Sequence, residues 1–88
     1  MKYYFFRDLS HGDNFLDGKT YHSAGIVDKV FSNKETKSGK DLSVTYLNPF
    51  TCEMVSTWRT YSEVELFEVS KGEWEEADKY YQFLDGQK

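Results

Sequence analysis

The stretch 39–69, GKDLSVTYLNPFTCEMVSTWRTYSEVELFEV, constrains this chain more than any other, because it commits the backbone to extended structure. Leu42, Val44 and Tyr46 alternate with Ser43 and Thr45, the period-two pattern of a strand with one buried face. Residues 48–52 read as a tight turn: Asn48 suits its start, and Pro49 presets φ for the next position. Beyond it, Met54, Ser56, Trp58 and Thr60 point one way and Val55, Thr57, Arg59 and Tyr61 the other. Residues 61–63 read as a bend, and 64–69 as a closing strand. On that strand Glu63 and Glu65 share one face and Glu68 falls on the other, as expected of a solvated side rather than an acid–base site.

Upstream, residues 2–6 (KYYFF) are a first strand, and 9–18 (LSHGDNFLDG) have the composition of a loop that Phe15 and Leu16 tack to the body. Asp17-Gly18 signals a turn into a strand at 19–23. Residues 25–31 (GIVDKVF) form another strand, with either Val27 and Phe31 or Ile26 and Val30 inward. The polar run 32–40 is then a solvated, mobile hairpin loop.

At the C-terminal end the period changes. Ser70 and Glu73 fit a capping box. Trp74, Ala77, Tyr81 and Leu84 recur on one helical face, and Glu73, Glu75, Glu76 and Asp78 sit where they favour the helix dipole. The spacing predicts a helix over about 71–84, ended by Asp85-Gly86 with Gly as a natural C′ residue. Trp74 either docks this helix or stands as an exposed anchor.

With 88 residues and no linker or repeat, the chain reads as one domain, 1–88. Two Trp, seven Tyr and seven Phe let few positions close a small core, since each buries about 150–250 Å². A single Cys excludes an internal disulfide. No run reaches the roughly 20 apolar residues of a bilayer span, and residues 1–13 lack a signal-peptide pattern. The expectation is a soluble, cytoplasmic protein away from membranes.

Chemical motifs are sparse. His11, His22 and Cys52 match no zinc spacing, so no metal is expected. A Cys52–His22 nucleophile pair lacks an orienting group, and no glycine-rich phosphate loop is present. Neither catalysis nor a cofactor is expected.

The residues 25–30, 39–46, Thr57-Trp58-Arg59 and 63–66 resemble SH3-like barrels of the Tudor and KOW kind. In that family a G-x-V strand is followed by a long loop, an alternating strand, a turn and a short closing strand. The resemblance covers about 18–69 and implies a mainly β (α+β) fold: a small barrel or strongly bent antiparallel sheet, here with a C-terminal amphipathic helix. Where such turns carry Gly this chain has Cys52, which a positive φ would strain. The resemblance further implies a ligand surface flanked by the first long loop and the strand-joining turns. Its ligands would be peptides, methylated side chains or nucleic acid. Tyr46, Phe50, Trp58 and Tyr61 are the aromatics near those elements.

Charge separates three functional expectations. Residues 1–50 hold seven basic and six acidic side chains, whereas 51–88 hold four and nine. The first expectation is a binding module or small regulator with a protein partner, contacted through Trp58, Tyr61, Glu63, Glu65, Trp74, Glu75 and Tyr81, with Tyr80 and Phe83 nearby. In style the chain resembles small phage-encoded proteins that bind and redirect host enzymes, among them enzymes that handle nucleic acid. The second is a nucleic-acid-binding module using Lys34, Lys37, Lys40 and Arg59 with Tyr46 as a stacking platform, Lys29 alongside. The third is an acidic mimic of nucleic acid built on Glu63, Glu65, Glu73, Glu75, Glu76 and Asp78.

Overall fold

The computed structural model describes residues 1–14, 20–48 and 51–86, with backbone only at 10–14 and 20–22. The predicted turn at Asp17-Gly18, the tacking role of Phe15 and Leu16, Pro49, Phe50 and the side chains of His11 and His22 lie outside the described residues.

Among the described residues, five strands and one long helix follow in order: β1 (Tyr3–Asn14), β2 (Thr20–Val30), β3 (Leu42–Leu47), β4 (Met54–Arg59), a 3₁₀ turn (Tyr61–Glu63), β5 (Val64–Val69) and α1 (Lys71–Asp85). They make one antiparallel sheet in the order β4-β3-β2-β1-β5. The fold is thus mainly β with a C-terminal helix, as expected, and the sheet is bent and open. Among the described residues a closed barrel is not formed, since β4 and β5 both remain edges. No helix among the described residues is long and apolar enough to cross a membrane.

The bend is measured by one ion pair. Arg59 on β4 reaches Asp8 on β1, Nε to Oδ2 3.0 Å, across two intervening strands. In a flat sheet, three spacings of about 4.8 Å would hold these backbones about 14 Å apart. The sheet therefore curls around its concave face, where Phe6, Val27, Leu42, Val44 and Val64 form the core. Tyr4, Tyr46, Tyr61 and Leu66 pack against it. Leu42, Val44 and Tyr46 share this face, as their alternation requires.

On the convex face, α1 lies against β1, β2 and β4. Ser70 accepts from the Glu73 amide at 3.1 Å and Glu73 returns a bond to the Ser70 amide at 3.2 Å, the capping box expected. Trp74 docks the helix: its Nε1 donates to the Val27 carbonyl at 3.0 Å and its ring meets Tyr3 at 5.6 Å.

Several expectations need correction. Residues 9–14 continue β1 instead of forming a loop, pairing with Thr20, Tyr21 and His22 after an irregularity between Arg7 and Gly12. Backbone pairing carries this polar arm, so its composition misleads. The strands predicted at 19–23 and 25–31 are one strand, β2 (Thr20–Val30), without a break at Ala24-Gly25. Val27 faces the core, as the first register has it, but Phe31 does not, and the second register fails at Val30. Ile26 and Val27 are both buried, because the sheet is covered on both faces there. A bulge at Asp28 then shifts the phase, leaving Val30 and Phe31 exposed. Glu63 sits in the 3₁₀ turn, not on a strand. Gly86 caps α1 with φ −73°, so its freedom to adopt positive φ goes unused. The loop at 32–40 is fastened, as described below. Cys52 does occupy the left-handed region, at φ 58°, a conformation that burdens a side chain with a Cβ.

Candidate binding cleft

β1 and β2 pair only from Phe5↔Ile26 onward. Before that point Tyr3 and Tyr4 pair with Val69 and Glu68 of β5. Beyond the bulge, Lys29 and Val30 pair with Ser43 and Leu42 of β3. The two strands therefore diverge, and a cleft of about 850 Å³ opens between them. This volume lies within the range of about 300–1,000 Å³ typical of ligand pockets. Val27, Val30 and Leu66 supply aliphatic surface, Tyr3, Tyr4, Tyr61 and Trp74 aromatic surface, and Lys2, Asp28, Lys29 and Asn33 the polar margin.

Each wall has a local cause. In KYYFF the alternation sends Tyr4 to the concave core and Tyr3 to the helix side. Asp28 is placed by the bulge, and Thr45 donates to its Oδ2 at 2.5 Å. Burial pushes the Asp28 carboxyl above its ordinary pKa; the Thr45 bond opposes this and nearby Asp78 reinforces it. Tyr61 is held by donating its hydroxyl to the Ser32 carbonyl. Burial raises its pKa, helped by Asp41 and Tyr4.

The long loop after β2 forms a lip of this cleft. Asp41 is buried and accepts from Thr36 Oγ1 at 2.6 Å, from the Thr36 amide at 3.1 Å and from the Thr60 hydroxyl. These hydrogen bonds hold its carboxyl below the ordinary carboxylate value. Ser62 adds a bond to Glu35 at 2.7 Å. A loop whose composition reads as free is thus fastened at both ends of its polar run.

Of the residues predicted to contact a protein partner, Tyr61 and Trp74 line this cleft. Trp58 stands on the convex face, its ring tilted against Phe31 at 4.7 Å. Glu63 accepts from the Thr60 amide at 3.0 Å, and Glu65 pairs with Arg7 at 3.1 Å. Glu75 is exposed beside Lys71, and Tyr81 is half-buried beside a smaller apolar hollow with Phe5, Ile26 and Ala77. Burial, with Tyr80 alongside, raises the Tyr81 pKa.

The residues predicted for nucleic acid also separate. Lys34, Lys37 and Lys40 are exposed on the loop. Arg59 is engaged by Asp8 and by the Trp58 carbonyl at 2.8 Å, and Tyr46 packs edge-on against Phe6. Lys29 lies over the Phe31 ring at 4.8 Å, next to Trp58.

Sequence reasoning missed Tyr3, Tyr4, Asp28, Lys29 and Leu66 as cleft residues. The available signal was Asp28 itself, a charged residue interrupting the apolar strand GIVDKVF. Among the described residues, no group of three or more His, Cys, Asp or Glu side chains is placed to hold a metal ion. Compared with known proteins, the chain matches no protein-family model, no curated protein and no solved structure.

Proposed function

We propose that this protein is a non-enzymatic binding module that takes up a segment of a protein partner in the cleft between β1 and β2. The observation that carries this reading is the cleft's composition: tyrosines and a tryptophan over an aliphatic floor, with hydroxyls and Asp28 able to orient a ligand. The SH3-like resemblance lends the reading further support, because it implies a ligand surface flanked by the first long loop and the strand-joining turns. Asn33 and Tyr61 come from those two places.

The test is a displayed peptide library selected on the purified chain, with affinities measured by calorimetry. Val30→Glu puts a charge on an exposed cleft wall and should weaken selected peptides at least about tenfold, a difference of about 1.4 kcal/mol, without shifting the melting curve. Peptides that bind Val30→Glu as tightly as the native chain would place the contact elsewhere.

One observation favours a second reading. The exposed, tilted Phe31–Trp58 pair, with Lys29 over the Phe31 ring and Lys34, Lys37 and Lys40 on the following loop, has the aromatic-plus-basic make-up of a single-strand nucleic-acid platform. It requires salt-dependent oligonucleotide binding that Trp58→Ala and Lys37→Ala both weaken.

A further inference from the structure

The sheet's two edges are protected very differently. β5 carries Glu65 and Glu68 along its length, paired with Arg7 and with Lys2. Such charges deter edge-to-edge pairing. β4, Met54–Arg59, carries one charge, Arg59, and that guanidinium is turned inward onto Asp8. It has no Pro, Gly or Lys, and its register with β3 runs unbroken from Met54↔Leu47 to Arg59↔Leu42.

The backbone polarity of this edge follows from two hydrogen bonds. The Glu53 carbonyl accepts from Asn48 at 2.8 Å, and the Arg59 carbonyl accepts from Asp41 at 3.2 Å. Both therefore face β3. Because backbone direction alternates along an antiparallel strand, the N–H and C=O groups of Met54, Ser56 and Trp58 point outward.

We infer that this edge is a self-pairing surface: two copies of the chain join β4 to β4 about a two-fold axis at Ser56, continuing the sheet across both molecules. A dyad at Ser56 sets Ser56 opposite itself, Met54 opposite Trp58, Val55 opposite Thr57 and Glu53 opposite Arg59. Each outward-facing residue of one copy then donates to and accepts from its opposite number. Sheet faces are preserved, so the exposed Trp58 ring meets a Met54 thioether, a favourable sulfur–aromatic contact. Moving the dyad one residue to Thr57 sets Trp58 against Ser56 and loses that contact, so the Ser56 register is the complementary one. An isologous contact of this kind closes on itself and stops at the dimer.

Sedimentation equilibrium of the full chain tests this first. The expected result is a mass rising from 10.4 kDa toward twice that value with concentration. Ser56→Pro removes an outward-facing donor at a position an edge strand tolerates, and Ser56→Lys installs an edge charge. Both should return the mass to the monomer with an unchanged circular dichroism spectrum. A register readout does not depend on those variants. Directly opposed residues of a hydrogen-bonded pair lie about 5.5 Å apart at Cα, within disulfide reach. Ser56→Cys in a Cys52→Ser background should therefore cross-link under mild oxidation, whereas Thr57→Cys should not. A monomer at every concentration, or a dimer that persists in Ser56→Pro and Ser56→Lys without cross-linking through position 56, overturns the proposal. So does a monomer whose β4 amides gain exchange protection only when a peptide selected on this chain is added, since the occupant is then another protein.

Discussion

The two faces of the bent sheet bury very different amounts of what they carry. On the concave face Leu42 and Val44 are wholly buried, Phe6 is 1% exposed, and the Asp8–Arg59 pair is nearly sealed. On the convex face a single helix covers part of the surface and leaves Phe31, Trp58 and Phe67 about half exposed. Tyr80 and Phe83 stand out on the helix itself. A sheet that curls packs its inner side chains against one another, whereas its outer side must borrow cover from another element. Stability should therefore concentrate on the inner face and recognition on the outer face and at the split between β1 and β2.

The largest expected break is Asp8→Ala. It strands the Arg59 guanidinium in a largely desolvated position, which should cost about 3–5 kcal/mol. Urea unfolding would read this as a fall in midpoint with little change in slope. The double variant Asp8→Leu, Arg59→Met should recover much of the loss; a loss under about 1 kcal/mol for Asp8→Ala would mean that the pair is not what holds the curl.

Next comes Gly25→Ala. An added Cβ would lie 2.1 Å from the Thr45 carbonyl oxygen and 2.9 Å from Tyr46 Cα, so strands β2 and β3 would have to separate. Overpacking of this kind costs about 1–3 kcal/mol, at the upper end here because the obstacle is backbone. A melting temperature within error of the native chain would refute the close approach.

Two aspartates give opposite pH signatures. Asp41 has its pKa lowered in the folded chain. Its stabilising contribution is present above the unfolded carboxylate value and is lost as pH falls through the lower folded one. Asp28 has its pKa raised. Folding there favours the protonated form, so its contribution improves as pH falls through the raised value toward the unfolded one. Asp41→Asn should flatten the acid limb of stability against pH. Asp28→Asn should raise stability near neutrality and leave the Thr45 bond in place. Acid limbs that both variants leave unchanged would show that neither carboxyl is perturbed.

On the convex side the expected effects shrink. Trp74→Phe keeps the ring against Tyr3 but deletes the bond to the Val27 carbonyl, costing about 1 kcal/mol. Phe83→Ser, on the exposed side of the helix, should stay within about 0.5 kcal/mol. A Phe83→Ser loss above that bound would mean that this face is covered in solution, and concentration dependence of the loss would identify self-association as the cover.

Legibility followed the range of the interactions. The period-two run in β3 and β4, the alternation of Glu65 and Glu68, and the capping box of α1 depend on neighbours a few residues away, and all are plain in the sequence. Trp74 both docks the helix and lines the cleft, one position seen from two sides. The cleft was not legible, because Tyr4, Val30, Tyr61 and Leu66 come from four separate segments that meet only when β1 and β2 part.

What the chain determined by itself is the extended character of its middle and the helix after Ser70, since side-chain alternation and capping act through local backbone geometry. Tertiary structure decided the rest. It drew residues 9–14 into β1 by pairing them with β2, and it fused the two predicted strands of β2 because a glycine at position 25 admits the close approach of β3. It placed the bulge at Asp28, and it chose an open, curled sheet by joining Asp8 to Arg59 across 51 residues of sequence. Such contacts depend on which strands become neighbours in space, and side-chain pattern along one strand carries no record of the strand that will lie beside it.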